Sequence, residues 1–172
     1  GERDEAVSSV DILPTVLAAC GVAAPDGLPG VNLLDEAAVA AREGVFGECY
    51  THTLADLDDP AAGLLWRYCV SGTWKLVLPE RLAADDPRLA IEGAALDRDA
   101  REWLLSGTPR LFDLAADPEE NVSVAADHPD VVQRLSAAIR DRWRTSPSPP
   151  EAPSPCSRTP TPPRFQIGRA HV

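Results

Sequence analysis

A chain of 172 residues with a hydrophobic share of 44% has the apolar material for one domain with a genuine core, which argues against wholesale disorder. Lysine and arginine number 16 against 27 aspartate and glutamate, a net charge of -11, so binding to a polyanion such as nucleic acid has no general electrostatic support. Any anionic ligand needs a local basic pocket.

Residues 1–20 carry acids near the start and a proline inside the apolar run, so they resemble neither a signal peptide nor a membrane span. The chain starts without Met, at Gly1-Glu2-Arg3-Asp4, and is read as a fragment. Cys20, Cys49, Cys69 and Cys156 show no C-x-x-C pair or other metal-ligand spacing and define no disulfide framework.

The first expected element is a helix over residues 12–20, with Asp11 as cap, Pro14 in the first turn and Gly21 as the stop. Ile12, Leu13, Val16, Leu17 and Cys20 share one face, so this helix is expected to pack against something large. Residues 22–44 pass through a Pro/Gly-rich connection and a short Ala-rich segment.

Val45–Tyr50 and Leu64–Val70 read as strands, and Ser71-Gly72 makes a tight connection to a third strand starting at Trp74. Alternation puts Trp66, Tyr68 and Val70 on one face of the first hairpin arm, and Trp74, Leu76 and Leu78 on one face of the second. Arg67 and Lys75 alternate out from the aromatic face; they read as the exposed polar face of a half-buried sheet, with contact to an anionic group as the lesser alternative.

Leu96, Ala100, Trp103 and Leu104 keep helical spacing inside the connection to a strand at 110–114. A second strong helix starts around Asp127-His128-Pro129, with Val131, Val132, Leu135, Ile139 and Trp143 as its apolar stripe. The expected fold class is α+β, a small antiparallel sheet packed with helices. From Thr145 onward eight of the seventeen prolines fall among Ser and Thr, which reads as a disordered tail. The final Ile167-Gly168-Arg169-Ala170-His171-Val172 matches one reading frame of a common sequencing adapter, so residues 145–172 are taken as artefactual.

Asp113, Asp117, Glu119 and Glu120 suggest a hard cation, but the D-x-[DN]-x-[DN]-G pattern is missing. The better account is a turn at Asp117-Pro118 whose acid caps local N–H groups while Glu119 and Glu120 stay solvated. His52, just beyond a strand that also carries Glu48, is the one candidate substrate contact. A single histidine without a nucleophile or metal set defines no mechanism. No nucleophile elbow, phosphate-cradling loop, H-E-x-x-H or nucleotide fingerprint occurs.

Three segments together resemble a known family. Ser8-Ser9-Val10-Asp11-Ile12-Leu13-Pro14-Thr15-Val16-Leu17, then Cys20-Gly21-Val22 and Leu28-Pro29-Gly30-Val31-Asn32-Leu33-Leu34, resemble the segment with which sulfatases leave their catalytic domain. The hairpin around Trp74-Lys75-Leu76-Val77 and the corner Leu111-Phe112-Asp113-Leu114-Ala115-Ala116-Asp117-Pro118-Glu119-Glu120 resemble their C-terminal subdomain. The likeness covers roughly residues 5 to 143 and is nearest to bacterial arylsulfatase and heparan N-sulfatase relatives. It implies that residues 1–44 end a truncated catalytic domain and that 45–144 form an α+β subdomain.

By the same resemblance the complete enzyme hydrolyses sulfate esters or sulfamates through a formylglycine made from Cys or Ser in C/S-x-P-x-R, with a calcium ion balancing the sulfate. No cysteine here has Pro at +2 and Arg at +4, so catalytic and metal residues are expected upstream, and the fragment is expected to be inactive. The partners implied are a sulfated small molecule or glycan and the missing catalytic domain; many bacterial relatives are exported, which fixes no compartment here. Two alternatives stand beside this: a related phosphonate or phosphate ester hydrolase, and a stand-alone non-catalytic binding module.

Overall fold

A computed structural model describes residues 5–53 and 55–144. The expected segment 145–172 lies outside them. The chain forms helix α1 (Ile12–Ala19), helix α2 (Glu36–Ala40), strands β1 (Val45–Tyr50), β2 (Leu64–Ser71) and β3 (Trp74–Pro79), helices α3 (Pro87–Glu92) and α4 (Arg98–Ser106), strand β4 (Arg110–Asp113) and helix α5 (Pro129–Arg144). The four strands make one antiparallel sheet in the order β1-β2-β3-β4. With helices grouped around it, this is the expected α+β class.

Two connections explain the sheet. Ser71 pairs with Trp74, so Gly72 and Thr73 alone close the β2–β3 hairpin, and Gly72 takes the left-handed φ of 59° that such a turn requires. Between β3 and β4 the chain detours through α3 and α4. Asp86 and Asp97 start these helices by accepting the N–H of Arg88 and Ala100, and left-handed Gly107 ends α4. Helix α3 is absent from the sequence expectation, because six residues are too few to show a helical period against an Asp- and Ala-rich background.

The core has two parts. On one face of the sheet α5 lays Val131, Leu135 and Ile139 over Cys69, Leu76 and Leu111, all buried. At the start of β2, Leu65 joins Leu82, Leu89 of α3 and Leu104 of α4 in a second cluster. Leu76, Leu104 and Leu111 have no exposed surface. Truncating any of them leaves a cavity and costs roughly 2–5 kcal/mol.

The register corrects one expectation. Arg67 pairs with Leu78 and Lys75 with Val70, so these two cations point to opposite faces of the hairpin. Arg67 lies on the α5 side, 4.9 Å above the Trp143 ring, and bridges Glu48 on β1 (2.9 Å) and Glu80 after β3 (3.0 Å). It clamps the strands rather than awaiting an anion.

Helix α1 carries no charged residue and leaves Ile12, Leu13 and Val16 60%, 51% and 51% exposed. A helix apolar on every side is one that a larger structure covers. No helix among the described residues is long and apolar enough to cross a membrane.

Candidate functional site

His52 sits in the loop that leaves β1, where Cys49 and Tyr50 mark an irregularity in the pairing with β2. Its backbone N–H donates to Glu92 Oε1 at 2.7 Å, and its ring Nδ1 lies 3.1 Å from the same oxygen. Glu92, the last residue of α3, is 9% exposed, while the imidazole is 56% exposed. A buried carboxylate therefore fixes both the loop and the ring, and turns the other ring nitrogen outward.

Glu48 does not join this pair. It accepts the Tyr50 hydroxyl at 2.8 Å and Arg67 Nε at 2.9 Å. Burial, and then the bond to Glu48, push the Tyr50 phenol up to about 12. Cys49 is also held above the ordinary thiol range, by burial first and then by the negative charge of Glu92. A thiol kept protonated is a poor nucleophile.

The acid-rich corner is structural. Asp117 accepts the Val122 N–H at 2.8 Å and Asn121 Nδ2 at 3.2 Å, and these bonds hold its carboxyl below the usual range. Asp113 accepts the Ala115 N–H, and Ser123 Oγ accepts the N–H of Leu111, tying the loop back to β4. Glu120, expected to be solvated, instead reaches Lys75 Nζ at 2.6 Å from a left-handed backbone (φ 58°). These oxygens are engaged by protein donors and do not fit a calcium ion. Among the described residues no group of three or more His, Cys, Asp or Glu could hold a metal.

Asp11 was the residue whose importance the sequence understated. Rather than capping α1 it caps the preceding 3-10 turn Ser9–Asp11, accepting the Ser8 N–H at 2.7 Å, the Val31 N–H at 2.9 Å and Arg42 Nη2 at 2.6 Å. Thr15 adds a second tie, since its hydroxyl donates to the Asp11 carbonyl and accepts from the Leu33 N–H. The spacing between V-D-I-L-P-T and L-P-G-V-N-L thus has a mechanical cause: the first segment holds the second by side-chain caps.

No family model matches the chain. An N-acetylgalactosamine-6-O-sulfatase from Bacteroides thetaiotaomicron is 32% identical over 117 residues, which are 68% of this chain and 18% of that protein. This chain belongs to the sulfatase family. It corresponds to a C-terminal portion of such a protein. Arylsulfatase K from Xenopus laevis is 26% identical over 78% of this chain and 22% of its own length. The chain thus spans about a fifth of the curated sulfatases it matches. Among solved structures, a 4S-sulfatase of Bacteroides thetaiotaomicron glycosaminoglycan metabolism is 21% identical over 77% of this chain and 26% of its own, with a TM-score of 0.49. A structure holding its substrate D-glucosamine-2-N,6-O-disulfate is 15% identical over 78% and 23%, with a TM-score of 0.46.

Proposed function

We propose that the complete protein hydrolyses sulfate esters or sulfamates, that its formylglycine nucleophile and calcium site lie in residues outside this chain, and that this chain lends His52 to the rim of the substrate pocket. The relative named as an N-acetylgalactosamine-6-O-sulfatase makes a sulfated hexosamine the first substrate to try. The observation that carries the role of His52 is its pairing with buried Glu92, which presents an exposed, oriented imidazole at the end of a strand. An imidazole so held donates to a sulfate oxygen when protonated and accepts from a sugar hydroxyl when neutral. In this reading residues 1–44 complete the catalytic domain and 45–144 form the subdomain beside it.

The chain alone should be inactive. The test is to read the coding sequence upstream for C/S-x-P-x-R, express the complete enzyme and assay it on sulfated hexosamines and on phosphonate esters. Sulfate release is expected, with His52→Ala raising KM about tenfold, the order of one charge-assisted hydrogen bond. Turnover of phosphonates alone would overturn the sulfatase activity; an unchanged KM would remove His52 from the pocket.

A further inference from the structure

Glu92 Oε1 meets two atoms of one residue, and the first contact decides the second. The His52 backbone N–H, 2.7 Å away, can only donate, so this oxygen is an acceptor. The His52 ring Nδ1 lies 3.1 Å from the same oxygen. A lone pair on Nδ1 would face the lone pairs of a buried carboxylate, which has lost its water and needs the donors within its reach. The proton therefore sits on Nδ1. In a neutral imidazole it is the only ring proton, so Nε2 carries a lone pair.

Both sides of this contact are fixed. Leu89 anchors α3 in the core, and Arg88 Nη1 donates to the Leu64 carbonyl at 2.6 Å, which ties the helix to the start of β2. Gly93, with a φ of 50°, ends α3 directly after Glu92. On the loop side, Thr51 donates its N–H to the Gly63 carbonyl at 2.8 Å and its hydroxyl to the Thr53 carbonyl at 2.7 Å.

We propose that Glu92 is a positioning residue: it locks neutral His52 in the Nδ1–H tautomer, the one that free imidazole side chains disfavour, and so makes Nε2 a hydrogen-bond acceptor. An acceptor at the pocket rim selects a donor. It takes a substrate hydroxyl and repels a sulfate oxygen, whose lone pairs it would face. His52 then reads the hydroxyl-bearing part of the substrate and leaves the sulfate to other groups. The selection of a hydroxyl rests on the placement of His52 at the pocket rim; the tautomer rests on the Glu92 contact alone.

Long-range proton–nitrogen correlation spectra of the histidine rings in the 172-residue chain, recorded at a pH where the His52 ring is neutral by its own titration, test the lock. His52→Gln identifies the His52 signals by their loss. Nδ1 should show the shift of a nitrogen that carries a proton, and Nε2 that of one with a lone pair. Glu92→Ala, with no acceptor, should move the pattern towards the Nε2–H form, while Glu92→Gln, whose amide oxygen takes the same two donors, should keep it. Retained amide dispersion and unaltered signals of His128, packed on Trp74, show that a variant folds. An Nε2–H form in the wild-type chain, which decides even where a variant fails to fold, overturns the proposal, as do unaltered His52 signals in folded Glu92→Ala. In the complete enzyme Glu92→Ala should raise KM about tenfold more for a sulfated hexosamine than for a small aryl sulfate without a hydroxyl, the order of one hydrogen bond. Equal effects on the two substrates overturn the selection of a hydroxyl. An unchanged KM in His52→Ala beside an Nδ1–H spectrum overturns the rim placement and leaves the lock in force.

Discussion

Arg42 Nη2 lies 2.6 Å from Asp11 Oδ1, and the carboxylate it meets is wholly buried. Through Asp11 the chain before α1, the loop at Val31 and the end of α2 share one anchor. Burial alone would raise the Asp11 pKa, but the bonds from Arg42, Ser8 and Val31 outweigh it and hold the carboxyl below its ordinary range. A carboxyl with a depressed folded-state pKa stabilises the fold fully above the unfolded value and loses that contribution as pH falls through the folded one. Asp11→Asn should therefore cost on the order of 3–5 kcal/mol at neutral pH, since Arg42 is left without its charge partner. Urea denaturation should show the gap between wild type and variant closing below about pH 4, the ordinary carboxylate range. A gap that stays constant down to pH 2 would remove the ion pair from the account.

Gly30 and Gly27 separate backbone strain from crowding. Both have left-handed backbones, with φ of 91° and 76°, but only Gly30 is crowded: a Cβ there would run into the Val10 carbonyl and lie 2.9 Å from Asp11 Oδ1, while at Gly27 nothing is near. Gly27→Ala should cost about 1–2 kcal/mol, the penalty for a left-handed residue with a side chain. Gly30→Ala should cost clearly more, because it also pushes the loop off Asp11. Equal losses in thermal or chemical denaturation would show that the Asp11 anchor yields freely.

Tyr68 and Gly47 form a cross-strand pair of complementary sizes. Gly47→Ala places a methyl group in the phenol ring and should destabilise the sheet by about 1–3 kcal/mol, the usual cost of overpacking. Tyr68→Ala in the same chain makes room, so the double variant should lose less than the two single losses summed. Strict additivity would mean that the ring leaves Gly47 without resistance.

The strands were legible because the period-2 runs at 45–50, 64–70 and 74–78 are bounded by turn residues, and α5 because its apolar stripe is long. The assignment of Arg67 and Lys75 to one face failed on parity. A two-residue turn pairs Ser71 with Trp74, which sets odd-numbered residues of one arm beside even-numbered residues of the other. That signal was present in the sequence, in Gly72-Thr73. The partners of His52 and Asp11 were not: Glu92 lies 40 residues from His52, and Arg42 lies 31 from Asp11. Local pattern carries no information on such pairs, so His52 was visible as a residue after a strand but not as a ring held by a buried acid.

Glu92 also acts on Cys49, and that gives a readout independent of any substrate. The Cys49 thiol is raised by burial first and by the Glu92 charge second. Glu92→Gln removes only the second cause, so the thiol pKa should fall part of the way towards its ordinary value. Reaction with iodoacetamide proceeds through the thiolate, and a drop of one unit in pKa raises the thiolate fraction near neutral pH about tenfold. Cys69 is an internal control: it is deeply buried at the sheet's centre, its thiol is pushed up to about 11 mainly by burial, and Glu92 is not among the groups acting on it. Peptide mapping by mass spectrometry after a short alkylation pulse should show faster labelling of Cys49 in Glu92→Gln, with Cys69 unchanged. Faster labelling of both would mean that the variant has loosened the fold. Unchanged labelling of Cys49 would mean that Glu92 does not lie close enough to its sulfur to matter, and with it the placement of α3 against the His52 loop would fall.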